Sequence, residues 1–168
     1  MWRRVFHKTL NMNRSQQPVT FKQIQILFFA LLAGQVVIGA VLFFILTIDG
    51  VEPSAGGSIF KFIIPVAVFG SIAASVFINR YFGEQAGTQP NLQEKLQHFR
   101  TRNLLRWAVQ EAGNLVAIVL AALDANTLLM FWFAFGVMAF AMAGPSLDKF
   151  LEEYQLTNAE RQELEQNP

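Results

Sequence analysis

From Gln23 to Ile48, between Lys22 and Asp49, the chain carries no charged side chain, and its centre reads FFALLAGQVVIGAVLFFIL. A helix needs roughly 20 mainly apolar residues to cross a hydrocarbon core of about 30 Å. Three more such stretches follow: Phe62 to Asn79, Trp107 to Leu123, and Ala125 to Leu147. Glu111 is the one charge inside them. The first and last exceed the spanning length, and the middle two sit near its lower limit of about 17 residues. A buried helix of a soluble bundle would need a polar face on its outer side, and the first stretch has almost none. The period-2 alternation of a β-barrel is absent. The predicted fold is therefore an all-α membrane protein, a four-transmembrane-helix bundle. Its helices fall at about 21–48, 59–81, 102–123 and 126–145, in a transmembrane domain of 21–147. The first stretch exceeds a signal-peptide core of about 7–15 residues. Leu46-Thr47-Ile48 offers no small-x-small cleavage site, so an uncleaved helix is predicted.

Lys and Arg collect in alternate polar segments. Arg3, Arg4, Lys8, Arg14 and Lys22 precede the first span, and Arg80, Lys95, Arg100, Arg102 and Arg106 lie between the second and third. The loops Asp49–Ser58 and Asp124–Asn126 have none. Short loops rich in Lys and Arg stay cytoplasmic. The expected localisation is a multi-pass membrane protein with both termini in the cytoplasm. Lys61 sits at the outer end of the second span and is expected to snorkel to head groups. Arg100, Arg102, Arg106 and Trp107 are read as interfacial anchors of the third.

The polar ends carry helical patterns of their own. In the basic segment 1–20, Trp2, Val5, Phe6, Thr9 and Leu10 share one stripe. That suits either an interfacial helix or a basic tail that only sets topology. Asn91 with Glu94 resembles a capping box, opening a helix that runs on into the third span. Pro145 is expected to end or kink the fourth span. In the acidic tail 148–168, a stripe from Leu147 through Phe150, Leu151 and Tyr154 predicts a helix against the membrane or a partner. Thr157 with Glu160 resembles a second capping box, and the last helix reads as solvated.

With no cysteine, disulfides, thiol chemistry and Cys-based zinc sites are excluded. His7 and His98 lie far apart. No nucleophile–base pair, metal cluster or phosphate loop is present in the sequence, so no catalytic residue, cofactor or metal is expected. A net charge of +1 argues against nucleic acid.

Only Glu111 places an ionisable group well inside a span, and such a residue should face protein or water. Asn114 is its i+3 neighbour, and Gln35 of the first span is a candidate partner across the bundle. These three form the candidate intramembrane polar cluster. It reads as an interhelical hydrogen-bond clamp of Glu111 with Gln35 or Asn114, with a proton- or cation-binding carboxylate as the functional alternative and a Glu snorkelling to the inner surface as the third. Small residues recur at four-residue spacing: Ala30 and Gly34; Ala67, Ser71 and Ser75; Gly113, Ala117 and Ala121. They predict close helix contacts, within a tight bundle or an oligomer. Ala33-Gly34-Gln35-Val36-Val37 also resembles Ala112-Gly113-Asn114-Leu115-Val116, which allows a plan of two parallel hairpin repeats.

The segments FKQIQILFFALLAGQ and RTRNLLRWAVQEAG, with a Pro-ended fourth helix and an acidic tail, resemble the small, uncharacterised four-helix inner-membrane proteins of bacteria. The resemblance implies a bacterial inner membrane but no activity. A fainter similarity is to the duplicated-hairpin proteolipid of rotary ATPases, in which Glu111 and Gln35 would correspond to the ion site. This chain departs from that family in hairpin order, in lacking glycine-rich inner helices, and in its long tails, so the assignment is not adopted. The expected function is a structural or accessory membrane subunit whose partners are the lipid bilayer and a second copy or a membrane-complex subunit. The alternative is a proton- or cation-coupled transport component using Glu111.

Overall fold

The computed structural model describes residues 19–48 and 59–166. The basic N-terminal stripe and the loop after the first span lie outside the described residues. Among the described residues every regular element is helical: α1 (Phe21–Ile48), α2 (Phe60–Gly83), α3 (Leu92–Leu123), α4 (Met130–Met142), α5 (Leu147–Glu153) and α6 (Asn158–Gln166). Short 3-10 turns at Ala86–Thr88 and Thr127–Leu129 join α2 to α3 and α3 to α4. Three helices are long and apolar enough to cross a membrane. A fourth span is counted when the bent pair Thr127–Met142 and Leu147–Glu153 is taken as one. These features mark a multi-pass membrane protein.

Polarity in the bundle runs opposite to that of a soluble one. Gln35, Ser71, Ser75, Gln110 and Asn114 are buried, while Phe29, Phe44, Phe62, Phe77 and Met138 face outward. In water such outer faces would be a large aggregation-prone surface. In lipid they match their solvent, and the polar groups turn inward to find partners.

α3 is the axis. At about 1.5 Å per residue it is roughly 48 Å long, enough to cross a hydrocarbon core of about 30 Å and project well past it. It packs along α2 and against α1 and α4, while α1 rests chiefly on α3 and α4. Small residues set the α2–α3 approach. A Cβ on Gly113 would collide with Ser71 and come within 3.0 Å of the Ala67 carbonyl. Ala117 and Ala121 continue the same buried row.

The two segments aligned as a hairpin repeat have different surroundings. The aligned amides Gln35 and Asn114 do touch. The aligned glycines differ, however: Gly113 is pressed onto α2, whereas Gly34 faces open space. α2 takes the contact beside Gly113, and among the described residues nothing takes the matching one beside Gly34.

Both capping boxes form. Asn91 Oδ1 accepts from the Glu94 backbone N–H at 3.0 Å, and its side-chain Nδ2, in place of the backbone N–H of a capping box, donates to the Glu94 carboxylate. The Thr157 amide donates to Glu160, and the Glu160 amide donates back to the Thr157 hydroxyl. Before Pro145 helix α4 stops at Met142, and the chain turns by 56° into α5. Ser146 caps α5 by accepting from the Lys149 amide.

The tail departs from its sequence reading. The Phe150 and Tyr154 stripe of α5 packs on this chain's own Phe99, with ring centroids 5.0 and 6.0 Å away. α6 is solvated along most of its surface, as read, but one edge is docked: Leu164 is buried in the same apolar cluster, and Glu160 pairs with Lys95 at 2.9 Å. The reason is the length of α3, whose projecting end supplies a surface for the tail.

Candidate functional site

Two polar groupings stand out, one within the bundle and one at the end where α3 projects. The inner one is built on α1, α3 and α4. Asn114 is on the buried face of α3 with Trp107, Gln110 and Ala117. Its Nδ2 donates to Gln35 Oε1 at 2.8 Å. On the other side its amide lies directly against Gly136 of α4, where any Cβ would overlap it. Asn114 thus ties α1 to α3 and requires a glycine on α4. Gln35 Nε2 is buried and has no hydrogen-bond partner among the described residues.

Glu111 does not join this bond. It is only partly buried, and no hydrogen bond or ion pair holds it among the described residues. One helical step separates it from Gln110, about 100° around the axis, so it sits at the margin of the buried face. The three cluster residues therefore divide into a bonded pair and a separate carboxylate.

The second grouping gathers around Arg102. Of the four residues read as interfacial anchors, only Arg100 is exposed. Arg106 is part-buried and donates to Asn103 Oδ1 at 3.2 Å. Trp107 is fully buried. Its indole N–H donates to the Ala143 carbonyl at 3.2 Å, satisfying an acceptor freed where α4 ends. Arg102 is 2% exposed. Its guanidinium lies 5.5 Å from the Phe99 ring centre and 6.0 Å from that of Tyr154, and its Nη2 pairs with Glu153 at 2.5 Å. The difference has a simple cause: α5 folds back and covers this face of α3.

Tyr154 completes the grouping. Its hydroxyl is 2.7 Å from His98 Nδ1. Burial, reinforced by the Glu153 carboxylate and opposed by Arg102, pushes its pKa up to about 12. It is therefore a neutral phenol at physiological pH. Glu160 moves the other way. Burial alone would raise its pKa, but hydrogen bonds from Lys95 and Thr157 outweigh that and hold it below the usual carboxylate range.

Sequence reasoning missed Asn103, Gln110, Asn79 and Glu153 as buried or part-buried polar groups. A signal did exist: Phe99, Arg102, Asn103, Arg106, Trp107 and Gln110 fall on one helical stripe, so polar residues share the face that packs. Among the described residues there is no cluster of three or more His, Asp or Glu able to hold a metal ion. No protein-family model, curated protein or solved structure matches the chain.

Proposed function

We propose that this chain is a structural or accessory subunit of a bacterial inner membrane. In this reading it is a four-span bundle with both termini cytoplasmic, akin to the small four-helix proteins that its sequence resembles. The reading rests on the bond between Asn114 and Gln35. That bond uses the inner amides to hold helices together, and Gly136 and Gly113 bring the neighbouring helices into close contact around it. A conducting or transporting bundle would instead be expected to line a path with its polar groups.

A second reading keeps one observation in its favour. Glu111 is a carboxylate inside an apolar span, without a hydrogen bond among the described residues. A carboxylate free of structural duty is available to bind a proton or cation.

Glu111→Gln separates the two. As a structural subunit, the variant keeps wild-type abundance, melting temperature and co-purifying partners in mild detergent. Proteoliposomes of the wild type then show no proton or cation flux above that of empty vesicles. A wild-type flux abolished by Glu111→Gln would replace the structural reading with the transport one.

A further inference from the structure

The end of α2, the projecting part of α3, the α4–α5 turn and α5 enclose a cleft of about 540 Å³. Its wall includes Asn79, Arg102, Arg106, Lys149, Glu152 and Glu153. Three cations thus face two carboxylates. One carboxylate, Glu153, is already engaged by Arg102 Nη2.

The donors left over point to a ligand. Arg102 is 98% buried, yet among the described residues its Nε and Nη1 have no hydrogen-bond partner, and neither do the buried Nε of Arg106 and two acceptors of the same wall, Asn79 Oδ1 and Glu153 Oε2, so the unpartnered cationic donors outnumber the acceptors. A buried cationic N–H without an acceptor is costly to leave unmade, and two guanidiniums on one wall repel each other. Asn103 takes one nitrogen of Arg106 but brings no charge. A small polyanion answers both needs. Arginine donors favour phosphate, whose several oxygens accept from more than one N–H at once. The cleft rim adds Met142, among the most exposed apolar side chains of the protein. Polar floor and apolar rim together fit a head group with its acyl chains alongside.

We propose that this cleft binds a phosphate group, carried either by a membrane phospholipid or by a free phosphate anion. The proposal goes beyond the structural role above and does not depend on it.

The test uses the full chain, purified in a neutral detergent and stripped of lipid. Thermal unfolding is followed during titration with inorganic phosphate, with phosphatidylglycerol, and with a phosphate-free diacyl glycolipid. Phosphatidylglycerol is expected to raise Tm saturably, and the glycolipid to leave it unchanged. A saturable rise with inorganic phosphate as well would assign the site to the free anion; a rise with the phospholipid alone would assign it to the head group. Arg106→Gln should weaken the apparent affinity at least tenfold, and Lys149→Gln, an exposed change that leaves packing intact, several-fold. Arg100→Gln, exposed on α3 outside the cleft, should bind as the wild type does. The proposal is overturned if neither phosphate source shifts Tm. It is equally overturned if the glycolipid acts as strongly, if Lys149→Gln binds like the wild type, or if Arg100→Gln weakens binding as much as the cleft variants do.

Discussion

Asn114 concentrates the packing logic of the bundle in one side chain. Its amide donates across to α1 and lies against the bare backbone of α4. Interhelical hydrogen bonds in membranes average about 0.6 kcal/mol, so the bond alone is a modest tie. A double-mutant cycle on Gln35→Ala and Asn114→Ala should give a coupling of about that size in reversible unfolding from mixed micelles. A coupling indistinguishable from zero would mean that the two amides do not meet. The steric half of the arrangement should weigh more. Gly136→Ala forces the Asn114 amide to move, and overpacking of this kind costs about 1–3 kcal/mol. The same unfolding assay should therefore rank Gly136→Ala as the more damaging change.

At the scale of elements, the helix that behaves least as its composition suggests is α6. It is short and strongly charged, and alone it would be marginal in water. Leu164 and the Lys95–Glu160 pair tie it down. Because Glu160 titrates below the usual carboxylate range in the folded chain, its contribution is complete above the unfolded glutamate pKa of about 4.3. It is lost as pH falls through the lower, folded value. Amide hydrogen exchange should show residues 158–165 protected at neutral pH and released in acid, while the α2–α3 contact stays protected. Lys95→Gln should loosen the same segment at neutral pH. Protection of α6 that ignored both changes would assign its docking to Leu164 alone. The pair and Leu164 hold only α6, so release of the segment, not global unfolding, is the expected signature.

Taken whole, the molecule is an apolar-coated bundle with a folded polar cap at one end. A four-span arrangement places the projecting end of α3 and α6 on one side, and the α3–α4 turn on the other. The chain has no cysteine, so single cysteines can be introduced into an otherwise silent background. Gln93→Cys and Gln162→Cys are expected to react with a membrane-impermeant maleimide only after lysis of spheroplasts, and Leu128→Cys before it. All three positions are exposed. Labelling of Gln93→Cys and Gln162→Cys from outside intact spheroplasts would reverse the proposed orientation.

The sequence by itself determined the helices and the apolar surroundings they require. Runs free of charge at spanning length leave backbone groups no partner except their own helix, and local signals such as Asn91, Thr157 and Pro145 act within a few residues of themselves. The sequence also placed Gln35 and Asn114 in one polar cluster, but as partners of Glu111; only the packing of α1 on α3 joined the two amides to each other. Tertiary structure alone decided the fate of the arginine stripe and the tail. An arginine at a helix end reads the same whether it meets head groups or another helix. Only the fold-back of α5 and α6 onto the overhanging part of α3 buried Arg102 and drew Glu153 and Glu160 to their cations. Those contacts join residues some 50 to 65 positions apart, and no local pattern encodes a distance of that kind.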